Sequence, residues 1–187
     1  MEIIYIILTI IILISVLIIV NYNALVAKRN DVKSIYSSID VQLNQRYDLI
    51  PNLVSSVKAY FKHESITLEN IVKLREKAIN SNDDKQKFSI NDELSKAIHG
   101  LNIQIENYPN LKANENVANL QNAIKECEEQ ISATRRAYNS AVTSYNNVCE
   151  SFPSNLIANA FNFKKANFYE TSENARKNPN VKDLFNE

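Results

Sequence analysis

The chain has 187 residues and a net charge of +0, with 21 basic side chains against 21 acidic ones, and it contains a single glycine, Gly100. A neutral balance with no basic stripe argues against a nucleic-acid partner. One glycine cannot supply a P-loop, a dinucleotide fingerprint or a nucleophile elbow, and with only four prolines beside it the chain has too few turn formers for a multi-stranded sheet. The expected fold class is all-α.

The chain opens on an apolar block, Ile3 to Val20, broken only by Thr9 and Ser15. A helix of that length covers about 27 Å, close to the hydrocarbon thickness of a bilayer. A cleaved signal peptide fits less well. Only Met1 and Glu2 precede the block, with no basic residue, and its end, Ile18-Ile19-Val20-Asn21-Tyr22, lacks the small residues of a cleavage site. Tyr22 stands where amphipathic aromatics favour the membrane boundary. Lys28, Arg29 and Lys33 follow the block, so the positive-inside rule puts the C-terminal side in the cytoplasm and the N-terminus outside.

Beyond the block, Val32, Tyr36, Ile39, Leu43, Tyr47, Ile50, Val54, Val57 and Phe61, then Leu68 and Val72, recur mostly in steps of three and four, which predicts an amphipathic helical stripe. Pro51 interrupts it. Because the stripe resumes in phase, a kink is expected there in preference to a long loop. Asn80 to Asp84 predicts a turn. Ser89 to Tyr108 predicts a second amphipathic run, closed by Asn107-Tyr108-Pro109-Asn110.

The most regular pattern runs from Val117 to Val148. Its seam is Val117, Leu120, Ile124, Cys127, Ile131, Thr134, Tyr138, Ala141, Tyr145 and Val148, with steps alternating three and four. That is the signature of a coiled coil or a long bundle helix, and the tyrosines favour a globular bundle. Phe152-Pro153 ends it. Asn155 to Tyr169 reads either as a short element capping the bundle or as a segment meeting membrane or a partner, with packing favoured. Thr171 to Asn180 is polar enough to be disordered. Val181 to Phe185 reads as a frayed end or a short docking motif.

The residues offer little catalytic chemistry. His63-Glu64 begins an H-E-x-x-H pattern that Thr67 leaves unfinished, and His99 is the remaining histidine. No metal site, cofactor or enzymatic activity is expected. Cys127 and Cys149 on one helix would lie about 33 Å apart, too far for a disulfide, and unpaired thiols suit a reducing compartment. The unusual residues are polar ones within helical stripes: Arg29, Asp40, Arg46, Asp48, Arg135, Arg136 and Asn139. Charges near a core are paired or costly. Arg29, Asp40, Arg46, Asp48, Arg135 and Asn139 are therefore candidates for setting helix register or for contacting a partner.

Several segments together carry a family resemblance. They are Tyr22-Asn23-Ala24-Leu25-Val26 with Arg29-Asn30, then Ile39-Asp40-Val41-Gln42-Leu43, and Arg46-Tyr47-Asp48-Leu49-Ile50-Pro51-Asn52-Leu53-Val54. Tyr60, His63-Glu64 and Arg75 continue the series. Further on come Glu106-Asn107-Tyr108-Pro109, Leu111-Lys112-Ala113-Asn114, Arg135-Arg136 with Tyr138-Asn139, Phe152-Pro153-Ser154-Asn155, and Phe161 with Phe163. The chain resembles the LemA family of bacterial membrane proteins over nearly its whole length. Gln45-Arg46 stands where that family commonly has a double basic pair.

The resemblance implies an N-terminal span in the bacterial inner membrane, an N-out topology and a cytoplasmic antiparallel helical bundle of LemA-like four-helix type. It supplies no catalytic roles. The expected organisation is an anchor over residues 1–21, a bundle over 22–170 and a flexible tail over 171–187. The expected role is a non-catalytic interaction or assembly module, held in the lipid bilayer through Ile3–Val20 and serving an unidentified membrane or cytoplasmic protein. The alternative is a homo-oligomeric membrane-shaping scaffold.

Overall fold

The computed structural model describes residues 1–61 and 65–169, with Ser65 described by its backbone alone. His63-Glu64 and the tail from Thr171 onward lie outside the described residues. Among the described residues the protein has six helices and no strand. They are α1 (Glu2–Lys58), α2 (Ser65–Ile79), α3 (Asp84–Glu106), α4 (Pro109–Lys112), α5 (Glu115–Glu150) and α6 (Ser154–Ala160). The all-α expectation holds. The described residues divide into two compact units, with boundaries inside α1 and α5: Met1–Asp40 with Ser132–Phe168, and Val41–Ile131 with Tyr169.

The second unit holds a bundle core. From α1 it buries Leu43, Tyr47, Ile50, Leu53 and Val57, and from α2 Leu68, Ile71, Leu74 and Ala78, at the three-four spacing of one helix face. The stripe read from sequence is shifted by one residue at two points, since Leu53 and Ile71 are buried while Val54 and Val72 are half-buried. Adjacent branched residues compete for one inward position, and only packing against neighbouring helices chooses between them. Asp83 caps α3, its carboxylate accepting from the Gln86 backbone N–H at 2.9 Å. The helix therefore starts at Asp84, ahead of its first large apolar residue, Phe88. Asn107 and Tyr108 end it, and Pro109 at the first turn of α4 uses the proline where an N–H would be unpaired anyway. The Asn114 side chain caps α5, accepting from the N–H groups of Asn116 and Val117. Ser95 meets Glu128, and Asn102 meets Gln121, so α3 and α5 run antiparallel. At its edges Phe61 meets Tyr108 edge-on, and Tyr169 stacks on Phe88.

Pro51 does not break α1, which is continuous from Glu2 to Lys58. Proline has no N–H to give the carbonyl one turn back, that of Tyr47. Arg75 of α2 supplies the missing donor, its Nε lying 2.6 Å from the Tyr47 oxygen. An interhelical bond thus replaces the intrahelical one that the proline removes.

The first unit pairs the earlier part of α1 with the later part of α5. The rings of Tyr36 and Tyr138 are 6.1 Å apart. One heptad back along α1, the charge of Arg29 acts on Tyr145, one heptad further along α5. The pair is therefore antiparallel. Leu25, Val32 and Ile39 are buried on α1, and Tyr138, Val142, Tyr145 and Cys149 on α5. On α5 the predicted seam is buried at Val117, Ile124, Cys127, Ile131, Tyr138 and Tyr145, but past Tyr138 the adjacent Val142 and Cys149 are buried where the spacing gave Ala141 and Val148, which are half-buried like Leu120 and Thr134.

Ahead of that pairing, α1 contains an apolar window long enough to cross a bilayer, none of it buried. Its polar side chains turn back onto the helix. The Thr9 and Ser15 hydroxyls and the Asn21 amide each donate to the carbonyl one turn earlier at 2.8 Å, which satisfies them without water.

Candidate functional site

Among the described residues, the polar side chain most deeply placed is Arg46, which is 0% exposed. It lies on the buried stripe of α1 between Leu43 and Ile50, so the helix period carries a guanidinium into the core of the second unit. Burying an ion costs several kcal/mol, about 3 or more, unless it is paired and hydrogen-bonded. Three side chains from two other helices meet it. Nη1 donates to Glu128 Oε1 at 2.5 Å and to Ser95 Oγ at 2.8 Å, and Nη2 donates to Asn91 Oδ1. The Ser95 hydroxyl lies 3.1 and 3.0 Å from the two Glu128 oxygens and 3.1 Å from the Asn91 carbonyl. Its single proton serves one of these at a time.

Asn91 is itself buried at 2% exposure. Its amide donates to the Lys87 carbonyl at 2.8 Å, and the Tyr47 hydroxyl lies 2.8 and 2.9 Å from its two side-chain ends. Arg46 Nε finds no acceptor among the described residues. The network joins α1, α3 and α5 and leaves Ser95 half-buried and Glu128 partly open to solvent, at 30%. Cys127 borders it. Burial pushes its thiol up, the Arg46 charge pulls it down, and Glu128 and Glu126 push it up again. A thiol held protonated is a poor nucleophile.

The six candidate positions fall in different places. Arg46 is the centre of the network just described, and Asp48 is exposed on the same helix. In the first unit, the Arg29 guanidinium stands 4.9 Å from the centre of the Phe163 ring, a cation–π distance. Asp40, Arg135 and Asn139 are half-buried, and none of them is without a partner. Arg136 donates to Ser132 Oγ along its own helix. Sequence reasoning missed Glu128, Asn91 and Ser95. Asn91 carried a signal, since it falls on the apolar face of α3 between Phe88 and Leu94. Glu128 carried none, being one of several acidic residues beside the seam.

The first unit has a different specialisation. After α5, the chain makes a cis Phe152–Pro153 peptide and the short α6, and then runs extended back along α5. Asn162 takes a left-handed conformation, φ 57°, and closes α6. The Phe163 N–H reaches the Ala158 carbonyl at 2.8 Å and the Asn162 N–H reaches Asn159 at 3.3 Å, the Schellman pattern. Asparagine fills the place usually given to glycine.

Among the described residues no strand pairs with the extended strap, and side chains of α5 bond to its backbone instead. Tyr145 donates to the Lys164 carbonyl at 2.9 Å and Tyr138 to that of Asn167 at 3.0 Å. Asn146 makes a two-point contact with Ala166, giving its amide to the carbonyl at 3.0 Å and accepting the N–H at 2.9 Å. Burial pushes the Tyr145 hydroxyl up to about 12, with a smaller contribution from Cys149 and an opposing one from Arg29. Lys165 pairs with Glu150. Of the two readings of residues 155–169, packing holds for the strap.

A groove of about 430 Å³ also lies in the first unit, with Lys28 and Asp31 on the α1 wall and Ala137, Ser140, Ala141 and Ser144 on the α5 wall. Among the described residues no group of three His, Cys, Asp or Glu side chains is placed to hold a metal ion. His99 is exposed.

Comparison with known proteins bears on the chain as a whole. The model of the LemA family matches residues 35–182, which takes in most of the bundle and the strap but neither the apolar block nor the part of α1 up to Ser34. Protein LemA of Metamycoplasma hominis is 28% identical over 165 residues, 88% of this chain and 75% of that relative.

Proposed function

For a chain that belongs to the LemA family, we propose a non-catalytic interaction or assembly module fixed to the cytoplasmic face of the bacterial inner membrane by a single N-terminal span. The observation that carries this reading is the continuity of α1. The bare apolar block and the core-forming stripe are one helix with no linker between them. A signal sequence destined for removal has no need to continue into the first core helix of the folded part, and a membrane anchor does. The Lys28, Arg29 and Lys33 cluster supports an orientation with the folded part in the cytoplasm.

The Arg46 network supports a structural use of the chain's most unusual polar residues. Its donors and acceptors are turned on one another inside the bundle, so Arg46 is a register-setting residue. Asp48, exposed on the same helix, is the better candidate for a partner. A homo-oligomeric scaffold is the second reading. The small residues along the Ala137–Ser144 groove wall, which allow close helix approach, favour it.

The test is made on the full chain expressed in bacteria. Resistance to alkaline extraction from membranes, with the C-terminal part degraded by protease only after the inner membrane is opened, is the expected result. Release by alkali, or digestion from the periplasmic side, overturns the anchor or its orientation. Light scattering in nanodiscs then separates the two readings. A monomer that crosslinks through position 48 to a different protein supports the adaptor, and a defined oligomer supports the scaffold.

A further inference from the structure

We propose that the stretch from Phe152 to Phe161 is a second membrane-contact element, which lies in the headgroup region of the bilayer that Ile3–Val20 crosses. The inference rests on the reading of Ile3–Val20 as a span.

Three large apolar side chains in this short stretch face outward: Phe152 at 81%, Leu156 at 60% and Phe161 at 56% exposure. Scattered exposed apolar residues are ordinary, but three within one turn-and-helix segment form a patch that needs a covering. The patch is not a failure of packing. Ser154, Ile157 and Ala158 on the other face of α6 are buried, so the segment is docked in a fixed orientation with Leu156 left outside. Bonds from Ser154 Oγ to the Val148 and Ser151 carbonyls, at 2.6 and 2.9 Å, tie its start to the end of α5.

The location of the patch identifies what covers it. The Phe161 ring is 5.0 Å from the Tyr22 ring and the Phe163 ring is 5.7 Å from it, both edge-on. Tyr22 follows the last residue of the apolar block by two positions. The antiparallel register set by Tyr36 with Tyr138, and by Arg29 with Tyr145, carries Glu150 level with Ala24. The C-terminal end of α5 and the start of α6 therefore reach the height on α1 where the hydrocarbon region ends. Aromatic side chains concentrate at that depth in membrane proteins, and a short amphipathic element there buries its apolar face among the acyl chains near the headgroups. Arg29, over the half-buried Phe163 ring, and exposed Lys164 place positive charge beside the patch on the side away from the apolar block, which suits phospholipid phosphates.

The chain has no tryptophan, so single reporters can be introduced one at a time: Phe152→Trp, Leu156→Trp and Phe161→Trp on the patch, Ile12→Trp inside the span, and Ile103→Trp at an exposed position on α3. Each full-length variant is reconstituted in phosphatidylcholine–phosphatidylglycerol vesicles, with and without lipids brominated at shallow or deep acyl positions. The expected result is a blue shift with loss of emission in shallow-brominated lipid for the three patch variants, loss in deep-brominated lipid for Ile12→Trp, and neither for Ile103→Trp. If Ile12→Trp is quenched while the patch variants keep full emission and remain open to acrylamide, this inference falls and the anchor stands. If Ile12→Trp is not quenched either, both fall. Patch variants shielded from acrylamide but untouched by brominated lipid would show a second protein surface over the patch, which also overturns the proposal.

Discussion

The two units depart from the inside-apolar, outside-polar rule in opposite directions. In the unit around Arg46, a guanidinium and an amide are drawn into the core and answered there by Glu128, Ser95 and Tyr47. In the unit around Tyr145, the core is conventional and the departure is outside, in Ile3–Val20 and in Phe152, Leu156 and Phe161. A buried polar network adds little net stability over an apolar core but penalises every misaligned packing of the helices, because each misalignment strands a charge. Exposed apolar surface adds nothing to a fold in water and becomes favourable when the surroundings are lipid. In the reading proposed above, the first departure specifies which bundle forms and the second specifies where it resides.

The largest expected effect breaks the inner departure. Arg46→Ala strands Glu128 and Asn91 and leaves a cavity, and should cost roughly 3–5 kcal/mol in urea unfolding of the full chain in detergent. Replacing Arg46, Asn91 and Glu128 together by Met, Leu and Met should recover most of that stability while broadening the amide NMR spectrum. A triple variant as unstable as Arg46→Ala would show that the network stabilises outright.

The next effect concerns the proline in α1. Arg75→Ala should cost about 1–2 kcal/mol by leaving the Tyr47 carbonyl unpaired. In a Pro51→Ala background, where the helix regains its own N–H donor, the same change should cost less. A double-mutant cycle with no coupling would refute the substitution of Arg75 for the missing donor.

Two smaller effects concern the strap. Asn146→Ala should raise hydrogen exchange at Ala166 and its neighbours while moving the global unfolding midpoint by no more than about 1 kcal/mol. The Tyr145 hydroxyl is raised from its ordinary value of 10.0 to about 12 in the folded state. A raised folded value means the stabilisation is complete below pH 10 and is lost as pH climbs toward 12. Strap protection should fall through that window in the native chain and stay flatter in Tyr145→Phe. The smallest effect is at the left-handed Asn162, where Asn162→Gly should be neutral to stabilising by about 0.5 kcal/mol and Asn162→Ala should destabilise by about 1 kcal/mol, read as shifts in thermal midpoint.

Much of this protein is a one-dimensional property of its chain. The apolar block, the helical class, most of the seam from Val117 to Val148 and the stops within Asn80 to Asp84, at Asn107 to Pro109 and at Phe152-Pro153 follow from residue type and period, because helix formation and its termination depend on neighbours within one turn. Arg46 stood out for the same reason, as a charge on an apolar stripe. Its partners did not. Glu128 lies 82 positions away in the chain and Asn91 lies 45 away, and which carboxylate or amide meets a buried guanidinium depends on the axial register of helices that local pattern leaves free to slide. The same holds for Arg75 beneath Pro51, for the strap held by Asn146, and for the meeting of Tyr22 with Phe161. Hydrophobic spacing determined which faces turn inward, and tertiary packing decided which polar groups those faces bring together and which apolar ones they leave outside.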